Sequence, residues 1–293
     1  FLVKRNQKFS DGLIVVGNKD NRSLSISSLK KLGVNNYHEI VEATPRNTAP
    51  AIAFAAFQVK PDDILVVTPA DHIIKADENY DHAVSKAIKL AEEGNIVTFG
   101  VKPTRPETGY GYIESDGQNV VSFREKPNLE TAKDFLHRGN FLWNSGMFCF
   151  KAGVFLSELE KYEPKVFEAS KEAFQKSEEG RLDEALSMDI PSISVDYAVM
   201  ERSELIKVVN ADFEWSDMGS FEAVYDYFVE SGYPVDQEGN MVIGCDKFTA
   251  FVGLKNTIFV NTSDAILILS KEASQDVKGV YQQLVDENSP LIQ

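Results

Sequence analysis

The chain has 293 residues, 43% hydrophobic and 26% charged, a composition that excludes a wholly disordered chain or one long coiled coil and allows a buried core in one large domain or a large and a small one. Its 30 basic and 45 acidic residues leave a net charge of −15, which argues against sequence-independent binding to nucleic acid or an anionic membrane, though a local pocket can still take a small anion. No apolar run approaches the ~20 residues needed to cross a bilayer.

The two cysteines, Cys149 and Cys245, lie far apart; they exclude a CxxC zinc or redox motif and fit a reducing cytoplasm. No signal peptide is expected. The chain opens on Phe1, and it is expected to start inside a longer protein.

Strands and helices alternate along the chain. Leu13–Val16, Ile64–Val67 and Ile96–Phe99 are short continuous apolar runs, which predict strands of a parallel sheet covered on both faces. Asn47-Thr48-Ala49-Pro50 predicts a helix to about Phe57, with Thr48 as its cap and Pro50 in the first turn. From Tyr80, the apolar residues Ala83, Val84, Ala87, Ile88 and Ala91 form one helical stripe, with Asp77 as cap and Gly94 as terminator.

After Phe99 the texture changes. Residues 112–123 predict a hairpin turning over Ser115–Asn119, and Phe141–Phe150 a further strand in which Gly146 permits close approach. Helices follow from about Val154 to Ser177, broken before Pro164. Then come a strand at Val208–Phe213 and a helix from Ser220 to about Phe228. Beyond these, short strands are expected at Met241–Ile243, Thr249–Val252, Thr257–Val260 and Ala265–Leu269, with a helix near Ser274–Leu284. The expected division is a core over residues 1–230 and a small β-rich appendage ending in a helix over residues 231–293. No repeat of 20–50 residues is present.

Several polar groups stand where chemistry could use them. Asp71, in Pro69-Ala70-Asp71-His72, follows a buried strand, where ligands of α/β sheets bind; it could hold a metal or cap a turn. Asp217, in Trp215-Ser216-Asp217-Met218-Gly219, has the same strand–loop–helix setting and the same two readings. Lys126 in Glu125-Lys126-Pro127 could pair with a phosphate or sit as a solvated strand end. Asn144 and Ser145, polar within an apolar strand, need partners from a ligand or the backbone. Arg46-Asn47-Thr48 opens a helix, which suits an anion, a base edge or simple capping. The four histidines are scattered, and no HExxH, P-loop or GxSxG motif occurs.

Together these segments resemble the mannose-1-phosphate guanylyltransferases (GDP-mannose pyrophosphorylases), in their bacterial long form. The matching pieces occur in that family's order: Glu42–Ala51, Pro69–His72, Gly109–Ile113, Phe123–Pro127, Trp143–Phe148, Val195–Glu201, Trp215–Ser220 and Ser274–Lys278. The resemblance implies a Rossmann-like nucleotidyltransferase core with a mixed, mostly parallel sheet. It implies transfer from GTP to mannose 1-phosphate, giving GDP-mannose and pyrophosphate, with Mg²⁺ as cofactor, and it is compatible with a homodimer. Carried over, Asp71 and Asp217 would hold the metal and Lys126 the sugar phosphate; Gly111, Glu125, Asn144 and Asp196 would contact mannose, and Asn47 and Thr48 the guanine edge. The family's Gly-rich signature loop falls before Phe1. Two other readings stay open: a nucleotidyltransferase for another base or sugar 1-phosphate, and a non-catalytic nucleotide-sugar-binding regulatory protein.

Overall fold

A computed structural model describes residues 2–75 and 77–292. The chain divides into two compact units, one of Phe1–Ala70 with Ile74–Trp215, the other of Asp71–Ile73 with Ser216–Gln293.

The first unit is built on a six-stranded sheet. Its spatial order is Ile64–Val67, Phe141–Lys151, Ile96–Val101, Ile206–Asn210, Asn119–Arg124 and Tyr112–Asp116. The expected mixed sheet is present, but parallel pairing does not dominate it. Ile96–Val101 runs parallel to Ile206–Asn210, whereas Phe141–Lys151 is antiparallel to Ile64–Val67, to Ile96–Val101 and to Tyr112–Asp116. Burial on both faces, the sequence mark of a parallel sheet, comes here from helices on each side and says nothing of strand direction. A second, two-stranded sheet pairs Ile14–Asn18 in parallel with His38–Glu42.

Alternation along the strands sorts the core into two layers. Ile96, Phe148, Phe150, Ile206 and Val208 join Ala49, Ala53, Phe54, Phe155 and Val166, from the helices Thr48–Phe57, Ala152–Tyr162 and Pro164–Gln175. Val97, Phe99, Met147, Cys149 and Val209 join Tyr80, Ala83, Val84, Ala87 and Ala91 of the helix Glu78–Glu92. Asp77 caps that helix, accepting from the Tyr80 amide at 3.0 Å, and Gly94 closes it at φ 90°.

The helix Thr48–Phe57 is capped by Asn47, not by Thr48: the Asn47 side chain accepts from the Thr48 amide at 2.8 Å. Asn47 sits at φ 75°, a conformation that asparagine tolerates better than threonine.

In the second unit, Met241–Ile243 pairs in parallel with Thr257–Asn261, which pairs antiparallel with Ile266–Ser270. Met241, Ile258 and Leu269 meet Tyr225 of the helix Phe221–Glu230 in one small core. That helix packs with the C-terminal strands, and the compact units part at 215/216. The expected strand at Thr249–Val252 does not form. Val252 and the neighbouring Phe248 are 89% and 94% exposed and Phe251 is only partly buried, so little burial holds the segment extended. The last helix is Val277–Asp286, entered through a 3₁₀ turn at Lys271–Asp276. Among the described residues, no helix is long and apolar enough to cross a membrane.

Candidate functional site

The strand Phe141–Lys151 carries the polar pair Asn144-Ser145 into the middle of the sheet. Beside it the ladder with Ile96–Val101 breaks register: Thr98 pairs with Phe148, and Gly100 with Asn144. The extra residues are taken up at Gly146, with φ 69°. A bulge of this kind re-aims side chains and is frequent next to active sites.

Here it organises the Asn144 side-chain amide. Thr98 Oγ1 donates to Asn144 Oδ1 at 3.0 Å and the Gly146 amide donates to the same oxygen at 3.2 Å. Asn144 Nδ2 donates to Asp196 Oδ1 at 2.9 Å. Asp196 opens a π-helical turn, Asp196–Met200, a form concentrated at functional sites.

Glu125 and Lys126 join this group. Lys126 Nζ lies 3.1 Å from Glu125 Oε1; the Glu125 side chain is 10% exposed and that of Lys126 63%. Lys126 is held at φ 47°, and its amide donates to the Tyr110 carbonyl at 3.2 Å. The Glu125 amide donates to Glu201 Oε1 at 3.3 Å. The Gly111 carbonyl accepts from the Asn144 backbone amide at 2.8 Å. A Cβ at Gly111 would lie 2.5 Å from Glu125 Oε2 and 3.3 Å from Asn144 Cβ, so the close approach requires glycine.

Burial, with the Glu125 charge adding to it, raises the Asp196 carboxyl to about 6, against the pull of its backbone hydrogen bond, Lys126 and the Asn144 amide. The group thus offers a cation, two carboxylates and a fixed amide. That set can bind a phosphate at Lys126 and hydroxyls at the others.

Asn47 and Thr48 are tied to the same region. Thr48 Oγ1 accepts from the Val195 amide at 2.8 Å, one residue before Asp196. Arg46 turns away from the helix start, its Nε donating to the Ile190 carbonyl at 2.6 Å. The structure thus gathers Gly111, Glu125, Lys126, Asn144 and Asp196 directly, and links Thr48 to them through the chain.

Three further residues were not singled out in the sequence. Thr98 had a readable signal, a hydroxyl within an apolar strand. Glu201 ends the Val195–Glu201 segment without a distinguishing pattern. Glu42, 7% exposed with Oε1 lacking a hydrogen-bond partner, is raised by burial to about 7 against a hydrogen bond from the Arg46 backbone; a lone glutamate at a strand end carries no mark of this.

Asp71 and Asp217 both belong to the second unit. The Asp71 side chain is 80% exposed, with Oδ1 3.8 Å from His72 Nε2. Asp217 Oδ1 accepts from the Gly219 amide at 3.0 Å, in a turn where Met218 has φ 52°. No group of three or more His, Cys, Asp or Glu able to hold a metal occurs among the described residues. Two carboxylates alone suit a hard divalent ion that completes its shell with phosphate oxygens and water.

Residues 4–231 match the nucleotidyl transferase family, and residues 234–284 match a MannoseP isomerase/GMP-like beta-helix domain. The chain is 38% identical over 92% of its length to the xanthan biosynthesis protein XanB of Xanthomonas campestris pv. campestris (strain B100), and 38% identical over 92% to a mannose-1-phosphate guanylyltransferase of Klebsiella pneumoniae. It spans 62% of the first of these curated relatives and 63% of the second. Among solved structures it resembles a Thermus thermophilus protein described as mannose-1-phosphate geranyltransferase, with TM-score 0.78, 26% identity, and 97% of this chain and 88% of the other covered. It also resembles a Helicobacter pylori protein described as mannose-6-phosphate isomerase, with TM-score 0.70, 40% identity, and 73% and 88% covered. With the greater part of its length matched by that one family, the chain belongs to the nucleotidyl transferases.

Proposed function

We propose that this chain catalyses guanylyl transfer from GTP to mannose 1-phosphate. A phosphate oxygen of mannose 1-phosphate attacks the α-phosphorus of GTP in line. The bond to the β-phosphate bridging oxygen breaks, pyrophosphate leaves, and GDP-mannose forms. Catalysis of this kind needs positioning and charge neutralisation more than a covalent nucleophile.

The observation that carries the reading is the Asn144–Asp196–Glu125–Lys126 group, with one lysine for the phosphate and fixed polar groups for the sugar hydroxyls. Gly111 lets its backbone come close to them. Asn47 and Thr48, at a helix start, are assigned to the guanine edge. Asp71 and Asp217 are assigned to Mg²⁺, which when bound neutralises phosphate charge. The name of the Klebsiella pneumoniae relative supports the same substrates. The reading carries a cytoplasmic setting with it, which suits two unpaired thiols.

The test is pyrophosphate release by the full-length protein with GTP and mannose 1-phosphate, against other nucleoside triphosphates and sugar 1-phosphates. Preference for GTP with mannose 1-phosphate is expected. A preference of at least tenfold for another base or sugar 1-phosphate would reassign the substrate. Binding of GDP-mannose without turnover of any pair would make the chain a regulatory protein.

A further inference from the structure

We propose that Thr98 is a positioning residue for the sugar subsite, tying down the Asn144 amide oxygen so that Nδ2 is held toward Asp196. The inference rests on the guanylyltransferase reading above. Thr98 is fully buried, so it cannot touch a substrate and acts only through Asn144.

The two ends of an asparagine amide are nearly alike in shape, and the torsion that exchanges them is broad and roughly two-fold. The Gly146 amide, which only donates, and the ionised Asp196 carboxylate, which only accepts, choose between them, and the Thr98 hydroxyl fixes the chosen oxygen in place. The oxygen has two acceptor positions, and both are used: one by the Thr98 hydroxyl at 3.0 Å, the other by the Gly146 amide at 3.2 Å. With the amide reversed, Nδ2 would meet the Gly146 N–H, donor against donor, and Oδ1 would meet the Asp196 carboxylate, acceptor against acceptor. In the observed orientation one Nδ2 hydrogen goes to Asp196 Oδ1 at 2.9 Å, and the second is the donor that a sugar hydroxyl would take. The bulge between Thr98 and Gly100 is what brings the Thr98 hydroxyl and the Gly146 amide onto one oxygen.

Thr98→Val keeps the branched shape and removes the donor; Thr98→Ala is a second variant that does not depend on how valine packs. In the full-length protein each should raise the KM for mannose 1-phosphate about 5- to 20-fold, the range set by loss of one buried hydrogen bond. The KM for GTP should stay near its wild-type value, and Thr98→Ser should restore most of the loss. The acid limb of kcat/KM for mannose 1-phosphate should move to higher pH, because Asp196 loses part of its donor while its neighbours Glu125 and Lys126 are unchanged. A mere packing defect would lower the Tm without moving that limb. In an Asn144→Ala background, Thr98→Val should add nothing. An unchanged KM for mannose 1-phosphate in both Thr98 variants overturns the Thr98 assignment alone, as does a loss that persists undiminished beside Asn144→Ala. If Asn144→Ala itself leaves that KM unchanged, the sugar subsite falls, and the Thr98 role with it.

Discussion

Asn144 donates its amide to Asp196 across 2.9 Å, and it is the contact on which the candidate sugar subsite turns. The carboxylate it meets is poorly solvated, lies near the Glu125 charge and is raised to about 6. A carboxylate in this state binds a hydroxyl strongly when ionised and costs the fold stability in the same form.

Because the folded-state value lies above the unfolded 3.8, the contribution of Asp196 to stability is fully present below pH ~4 and is lost as pH rises through about 6. Asp196→Asn should therefore stabilise the protein above pH 7, by on the order of 2–3 kcal/mol, with no gain near pH 3.5. It should also weaken mannose 1-phosphate use and abolish the acid limb of kcat/KM near pH 6. Thermal melts across pH, beside rate profiles, check both; a variant less stable than wild type at pH 8 contradicts the assignment of cost to the charge.

Glu42 gives a parallel case outside the subsite. Its carboxyl is raised from 4.5 to about 7 by burial, so its stabilising share is present below pH ~4.5 and is lost as pH rises through 7. Glu42→Gln removes the buried charge while keeping an acceptor for the Arg46 amide. A gain on the order of 1–2 kcal/mol is expected at pH 8.5, shrinking to nothing at pH 4. Urea unfolding at the two pH values measures it, and an equal effect at both would show that charge is not the cause.

Much of this arrangement could be read before the fold was seen. Short continuous apolar runs mark the strands, Asp77 marks a helix start, and Asn144 stands out as polar inside a buried strand. Strand direction could not be read, because Phe141–Lys151 is apolar on both faces whichever way it runs. Nor could the bulge at Gly146 be told from a simple close approach, and it is the bulge that joins Thr98 to Asn144. Asp196 carried no local pattern and entered only through the family resemblance, since its setting depends on a contact 52 residues away. Thr249–Val252 failed for the opposite reason: its pattern was strand-like, but it is only partly buried, with Val252 89% exposed.

Lys126 should separate phosphate binding from nucleotide binding. Its side chain is 63% exposed and its nearest partner is Glu125, so Lys126→Ala removes a cation without collapsing a core. A charge-assisted hydrogen bond to phosphate is worth roughly 1.5–3 kcal/mol. Mannose 1-phosphate use should fall about 10- to 100-fold, with GTP binding nearly unchanged. The positive φ of 47° adds a control: Lys126→Gly relieves backbone strain, and it should melt higher than Lys126→Ala while losing the same activity. Equal KM values for the sugar phosphate in wild type and both variants would remove Lys126 from the site.

Asp71 and Asp217 carry the metal proposal, and their test depends on non-additivity. Asp71 lies between the strands Ile64–Val67 and Ile73–Ile74, Asp217 directly follows Trp215–Ser216, and each offers only carboxylate oxygens. Mg²⁺ is commonly held by one or two carboxylates, with phosphate oxygens and water completing an octahedron. If the two aspartates hold one ion, Asp71→Asn and Asp217→Asn each weaken that ion, and the double variant removes little that a single has not already removed. Both singles should lose kcat severely and recover part of it at high Mg²⁺. The alternative for Asp217 is visible in its own turn, where Oδ1 accepts from the Gly219 amide at 3.0 Å; a purely structural Asp217 would lower the Tm and leave the Mg²⁺ dependence alone. A double-mutant cycle on kcat, repeated across a Mg²⁺ titration with Tm measured on each variant, separates the cases. Losses that add fully, or an Asp217→Asn enzyme with wild-type Mg²⁺ dependence, would leave Asp71 as the sole carboxylate on the metal and return Asp217 to its turn.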